Sequence, residues 1–139
     1  MSYNSVFKPG LFSGQTIIVT GGGSGIGRCT AHELAHLGAH VVLVGRSLGK
    51  LQATQAEITG DGGEASYHSC DIRDEEAVKA MVAAVLAERG RIHHLVNNAG
   101  GQFPAPLSMI NQKGFEAVVR NNLVGGFLIA REVFNQCMS

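Results

Sequence analysis

The chain is poor in cysteine, carries no net charge and has no long apolar run. Its three cysteines, Cys29, Cys70 and Cys137, are odd in number and far apart, which argues against a disulfide framework or a cysteine-based metal site. They are expected to be buried free thiols in a reducing, cytoplasmic compartment. Eleven Lys and Arg balance eleven Asp and Glu, dispersed along the chain, so no basic footprint points to nucleic acid or an anionic membrane. No stretch approaches the ~18 apolar residues that cross a bilayer, and residues 1–12 have no basic segment followed by an apolar core. Neither membrane spanning nor export is expected. Small molecules and like subunits remain as partners.

What is present is a repeating pattern. At 139 residues and 45% apolar content the chain reads as a single domain, able to bury about two thirds of its unfolded surface. Thr16-Ile17-Ile18-Val19 and Val41-Val42-Leu43-Val44 are apolar on both faces, and a helical segment separates them. Such runs signal parallel strands covered by helices, because each crossover returns over the sheet. A weaker third strand is expected at 65–70 and a short fourth at 92–96. Helices are expected at 28–37, from Ser47 to about residue 59, from the acidic turn Asp74-Glu75-Glu76 to Gly90, and from about 112 to 137. The last should place Phe115, Val118, Val119, Asn122, Gly126, Ile129 and Val133 on one face. Residues 1–12 read as an arm on the sheet edge. The fold class is therefore α/β, a doubly wound parallel sheet of Rossmann type, with four strands in residues 1–139.

The stretch that organises the rest is Thr20-Gly21-Gly22-Gly23-Ser24-Gly25-Ile26-Gly27, between the first strand and the first helix. A turn of this kind leaves backbone N–H groups facing outward at the positive end of a helix dipole, where a pyrophosphate binds. Glycine supplies positive φ at some positions and removes the Cβ where backbone meets ligand. The predicted cofactor contacts here are Gly21, Ser24, Gly25, Ile26 and Gly27. His32 and His36 have metal-ligand spacing but no third ligand in view, and His93 and His94 face opposite sides of a strand. No metal is expected.

Thr20-Gly21-x-x-x-Gly25-Ile26-Gly27 matches every specified position of the Thr-Gly-x-x-x-Gly-Ile-Gly signature, and Asn97-Asn98-Ala99-Gly100 is a second signature at the right distance. The chain resembles the short-chain dehydrogenase/reductase family. The resemblance implies an oxidoreductase on a nicotinamide cofactor, with Asn98, Ala99 and Gly100 beside the cofactor and a homo-oligomer, commonly a tetramer. It also implies that Asp71, followed by Ile72, holds the adenine; capping the next helix is the alternative. Asn122, within Asn122-Leu123-Val124-Gly125-Gly126-Phe127, matches the family asparagine of a proton relay, its catalytic candidate. Bracing a helix distortion beside Gly125 is the other reading, and the two are compatible. Asn121 should point elsewhere.

The residue ending the second strand bears on cofactor choice. An NAD site usually presents a carboxylate there for the ribose 2′-hydroxyl. Here the position is Gly45, and Arg46 and Ser47 follow. With no carboxylate to repel it, a 2′-phosphate is favoured by a charge-assisted contact worth ~1.5 to 3 kcal/mol. NADP(H) is the expected cofactor; a merely solvated Arg46 is the bland alternative.

The family's serine and Tyr-x-x-x-Lys have no counterpart in residues 1–139, whose tyrosines are Tyr3 and Tyr67. By resemblance the chain is expected to be the first half of a family member, inactive alone. Pro9-Gly10-Leu11-Phe12 and Gly100-Gly101-Gln102-Phe103 are similar to loops of peroxisomal trans-2-enoyl-CoA and 2,4-dienoyl-CoA reductases. An acyl-CoA is the expected substrate, with Gln102 and Phe103 at its entrance. A 3-oxoacyl thioester or general carbonyl dehydrogenase, or a binding module without turnover, are the alternatives.

Overall fold

The structure is a computed structural model that describes residues 3–138. Strands β1 (Thr16–Thr20), β2 (His40–Gly45), β3 (Glu64–Ser69) and β4 (His94–Val96) form one parallel sheet in the order β3-β2-β1-β4. Helices α1 (Gly25–His36) and α2 (Leu48–Gly60) cover one face. Helices α3 (Glu75–Arg89) and α5 (Gly125–Val133) cover the other, and α4 (Gln112–Val119) leads into α5. This is the doubly wound α/β arrangement expected from the alternating runs.

The alternation of side chains divides the core. Ile17 and Val19 of β1, with Val41 and Leu43 of β2, pack with Ala31, Ala35, Leu51 and Ile58 of α1 and α2. Ile18, Val42 and Val44 point to the opposite face, onto Val78, Val82 and Val85 of α3 and Ile129 and Val133 of α5. The residues of β1 and the middle of β2 are thus buried whichever way they point, which is why these runs are unbroken rather than alternating.

Most boundaries fall within a residue or two of expectation, with informative exceptions. Helix α1 begins at Gly25 rather than residue 28, because the glycine turn itself enters the helix. The fourth strand is shorter than 92–96. The Nδ1 atom of His93 accepts the N–H of Thr16 at 2.9 Å, so a side chain replaces a ladder bond before β4 starts. The long C-terminal helix is not one regular α-helix. Five residues, Arg120–Val124, form a π turn between α4 and α5, and Phe134–Met138 form another after α5.

The extra residue in a π turn rotates the next stretch of helix about its axis and shifts the apolar stripe. Gly114, Gly125, Leu128, Ile129, Glu132 and Val133 are the buried positions. Phe115 is exposed, contrary to the even stripe expected, and Asn122 lies on the exposed side as well. Leu123, Phe127 and Phe134 also stand out from this helix uncovered.

The N-terminal arm lies against α1 rather than along the sheet edge. Tyr3 and Ser5 donate to the Glu33 carboxylate, and the Tyr3 ring stacks on His32. Phe12 reaches the edge strand β4, meeting His94 ring-edge to face. Met1 and Ser2 of the expected arm lie outside the described residues. The cysteines differ from expectation too: Cys70 is buried, Cys137 half-buried and Cys29 exposed.

Candidate functional site

The chain winds from β1 through β2 to β3 in one direction, then crosses back so that β4 pairs with β1 on its other side. At such a reversal the loops after β1 and β4 diverge and leave a crevice at the carboxyl ends of the strands. A cleft of about 670 Å³ lies there. Its walls come from the glycine turn, the end of β2, the loop after β3 and the loop after β4.

Thr20, the last residue of β1, holds two of these walls together. Its Oγ1 accepts the N–H of Ala99 at 2.8 Å and of Asn98 at 3.0 Å. The Asn98 Nδ2 returns a bond to the Thr20 carbonyl at 2.9 Å. The signature threonine and asparagine therefore brace the strand ends against each other. Asn97 is tied to the helix above, its Nδ2 donating to the Gly126 carbonyl at 2.8 Å.

The three signature glycines do different work. Gly21 has φ +67°, which turns the chain out of the strand, while its N–H reaches back to the Val44 carbonyl at 2.7 Å. Gly27 is buried by close packing. A Cβ there would sit 2.2 Å from the Gly21 carbonyl oxygen and 2.5 Å from Asn98 Nδ2. Gly25, with φ +52°, faces open space, and a Cβ there meets nothing within 4 Å. The helix rests on the turn through Gly27 and opens to the cleft through Gly25.

Residues at the two helix N-termini on this cleft support an anion. Ser24 and Ser47 hold the N-cap positions of α1 and α2, yet neither hydroxyl makes a capping bond. By contrast Asp74 and Asn111 cap α3 and α4 with their side chains, to Ala77 N–H at 3.1 Å and Gly114 N–H at 2.8 Å. The first amides of any helix lack intrahelical acceptors and lie at the positive end of its dipole. An open glycine, two uncommitted N-cap hydroxyls and first-turn amides together offer a cradle of donors that could hold a dinucleotide diphosphate.

Of the predicted cofactor residues, Gly21, Ser24, Gly25, Ile26, Arg46, Ser47, Asp71, Ile72, Asn98, Ala99 and Gly100 all line the cleft. Gly27 does not; its place is beneath the turn. Arg46 is exposed at the end of β2, beside Ser47, with no ion pair among the described residues. Asp71 does not cap α3, since Asp74 does. Its carboxylate is instead gripped by Arg73, with Nη2 at 2.7 Å from Oδ2 and both Nε and the Arg73 N–H about Oδ1, at 2.9 and 3.0 Å. These bonds from Arg73 hold the Asp71 carboxyl down to about 2, with Arg46 adding a smaller pull. Beside it, burial pushes the Cys70 thiol up to about 11, so it stays neutral.

Asn122 does not line the cleft. Its Nδ2 donates to the Gly101 carbonyl at 2.7 Å and the Val118 carbonyl at 2.9 Å, and its Oδ1 accepts the Gly101 N–H at 3.2 Å. It clips the loop after β4 to the π turn, which is the bracing arrangement. Asn121, one residue earlier, is the asparagine that borders the cleft. Phe103 lies on Gly114, where a Cβ would sit 2.8 Å from the ring, and so anchors the loop on α4 rather than lining the cleft.

Sequence reasoning missed Lys50, Asn121 and Arg73. Lys50, in the first turn of α2, lines the cleft, and a second cation close after Arg46 was the available signal. Nothing local signalled the other two. Of the histidines, His32 pairs with Glu57 at 3.0 Å, and no group of His, Cys, Asp and Glu suited to a metal occurs among the described residues.

The fold and cleft define a Rossmann-type α/β arrangement with a crevice at the switch point. The sequence profile of the short chain dehydrogenase family matches residues 15–139, and the chain belongs to that family. Among solved structures, a citronellol catabolism dehydrogenase from Pseudomonas aeruginosa PAO1 is 74% identical with a TM-score of 0.94, over 98% of this chain and 56% of that one. A metagenomic short-chain oxidoreductase in complex with NADP is 43% identical with a TM-score of 0.81, over 87% and 55%. An NAD+-bound xylitol dehydrogenase is 35% identical with a TM-score of 0.87, over 91% and 49%.

Curated relatives carry diverse names. A 2,5-dichloro-2,5-cyclohexadiene-1,4-diol dehydrogenase of Sphingobium indicum is 43% identical over 84% of this chain and 46% of its own length. A peroxisomal 2,4-dienoyl-CoA reductase of Rattus norvegicus is 34% identical over 96% and 46%. The chain thus spans about half the length of the curated relatives it matches. Dienoyl-CoA reductases are among its relatives alongside other dehydrogenases of higher identity, so the comparisons show the family and leave the subgroup open.

Proposed function

We propose that the chain forms the cofactor-binding part of an NADP(H)-dependent oxidoreductase. The observation that carries this reading is the end of β2, where Gly45 offers no carboxylate and Arg46, Ser47 and Lys50 line the cleft. The glycine turn would hold the diphosphate, Arg46 the 2′-phosphate, Asp71 and Ile72 the adenine, and Asn98 to Gly100 the inner ribose. When bound, the cofactor supplies or accepts a hydride. The chain's own contribution is to hold it against the strand ends braced by Thr20 and Asn98.

The substrate we propose is one of citronellol catabolism, on the strength of the 74% identical citronellol catabolism dehydrogenase. An unsaturated acyl-CoA is the second reading, supported by the relatives named dienoyl-CoA reductases and by the Gly100-Gly101-Gln102-Phe103 loop. Turnover is expected to need the family's Tyr-x-x-x-Lys, which residues 1–139 do not contain. Asn122, through its hold on Gly101, would place the loop after β4 for the relay. The exposed Phe127 and Phe134 suit a homo-oligomer, for which a tetramer is our reading.

The test is steady-state turnover by the full-length protein on citronellol-derived alcohols and aldehydes, enoyl-CoA and 3-oxoacyl substrates, with each cofactor in turn. The reading requires a lower KM for NADPH than for NADH, and Arg46→Ala should raise the first about ten- to a hundredfold while sparing the second. A wild-type preference for NADH would overturn the cofactor assignment. Turnover confined to enoyl-CoA substrates would replace the first substrate class by the second.

A further inference from the structure

The charges around the cleft are unequal in sign and in surroundings. Arg46 and Lys50 supply two cations, and Asp71 is the one carboxylate lining it among the described residues. A free carboxylate beside a site for a 2′-phosphate opposes the dianion, whereas it accepts a hydrogen bond from a hydroxyl. Left alone, Asp71 would therefore erode the selectivity that Arg46 confers.

Asp71 is not left alone. Arg73 grips it with the fork of its guanidinium, Nη2 on Oδ2 at 2.7 Å and Nε on Oδ1 at 2.9 Å, and the Arg73 backbone N–H adds a third bond at 3.0 Å. The guanidinium comes from outside the cleft. Arg73 lines a neighbouring cavity with Lys113 and Arg120, and Asp71 is the wall the two cavities share. Side-chain exposures of 35% for Arg73 and 36% for Asp71 leave the pair partly screened but fixed by two-point geometry.

We propose that Arg73 is a positioning residue for cofactor choice, cancelling the Asp71 charge from behind the cleft so that a 2′-phosphate is preferred to a 2′-hydroxyl. The inference rests on the NADP(H) reading of the same cleft. Arg73 does not itself reach the cofactor; it acts through Asp71. A neutral residue at position 73 would leave both ligands bound but would restore an uncompensated negative charge near the phosphate.

The probes are 2′,5′-ADP and 5′-AMP, titrated calorimetrically into the full-length protein, and the readout is the ratio of their Kd values. The wild type should favour 2′,5′-ADP. Arg73→Gln, which keeps amide donors for Asp71 but no charge, should lower that ratio about two- to tenfold. Arg73→Lys should keep it within about twofold. The double variant Asp71→Asn with Arg73→Gln should return the ratio toward wild type, whatever it does to either affinity.

A purely structural role predicts otherwise, with both ligands weakened alike in Arg73→Gln and the ratio unchanged, and that result overturns the proposal. So does a double variant whose ratio stays low. Should Arg73→Gln fail to fold, Arg73→Lys decides, because a fallen ratio in a variant that keeps the charge removes the electrostatic explanation. A wild type with no preference refutes the NADP(H) reading first and this inference with it, and that outcome is visible before any substitution is made.

Discussion

Gly25 and Gly27 stand two residues apart in one signature, yet substitution by alanine should break two different things. At Gly27 the added Cβ would lie 2.2 Å from the Gly21 carbonyl oxygen. Reaching ordinary contact requires the backbone of α1 or of the turn to move by about 1 Å, because the nearest atoms are backbone and the Asn98 amide beside them is held by its bond to the Thr20 carbonyl. Overpacking of this kind costs about 1 to 3 kcal/mol, and backbone against backbone belongs at or above the upper end. A fall in Tm of about 10 °C or more is expected for a chain of this size.

At Gly25 the added Cβ meets nothing, and the cost is the positive φ of +52°, about 1 to 2 kcal/mol for a residue with a side chain. That methyl would stand in the cradle, however. Loss of one amide contact to a phosphate is worth ~1.5 to 3 kcal/mol, or about ten- to a hundredfold in the Kd for NADPH. Differential scanning calorimetry and calorimetric titration on both variants separate the two effects. Gly27→Ala with an unchanged Tm, or Gly25→Ala with unchanged affinity, would refute this division of roles.

Three further outcomes are expected. Thr20→Val keeps the shape of the side chain but strips the hydroxyl acceptor from the Ala99 amide and one of two acceptors from the Asn98 amide, and urea denaturation should report about 1 to 3 kcal/mol of lost stability. Asp71 is held down to about 2 in the folded chain, below the ~3.9 of an unfolded aspartate, so the stability it contributes is present above about pH 4 and is lost as pH falls through the folded value. The stability gap between the wild type and Asp71→Asn should accordingly be constant from about pH 5 upward and shrink toward pH 2; a gap independent of pH across that range would count against the Arg73 clamp. Exposed Cys29 should react with a disulfide reagent at about pH 8, while Cys70, buried and pushed up to about 11, should react only on unfolding.

Much of this molecule was legible from residue patterns. The glycine turn, the two unbroken apolar runs and the acidic start of α3 are local signals, governed by backbone freedom, side-chain alternation and the helix dipole. They placed four parallel strands and the glycine turn on the cleft, and the family resemblance added Asp71, Ile72 and Asn98 to Gly100; Lys50, Leu51, Cys70 and Asn121 joined them only in the folded chain. The shortened β4 was not legible, because His93 replaces a ladder bond by reaching Thr16, 77 positions away in the chain.

The site divides along the same line. That Gly21, Gly25 and Arg46 belong at a nucleotide crevice follows from residue type and spacing, since each acts through its own backbone or charge. That Gly27 supports the turn, that Thr20 ties the ends of β1 and β4, that Asp71 is clamped by Arg73 and that Asn122 clips Gly101 came only from the folded chain. The π turn likewise interrupts the single stripe that a regular helix predicts, and Phe115 before it and Asn122 within it are both exposed. Local sequence sets what a residue is able to do, and packing between distant segments decides which partner it meets, because hydrogen bonds and contacts act over a few ångströms of space and not over a distance along the chain.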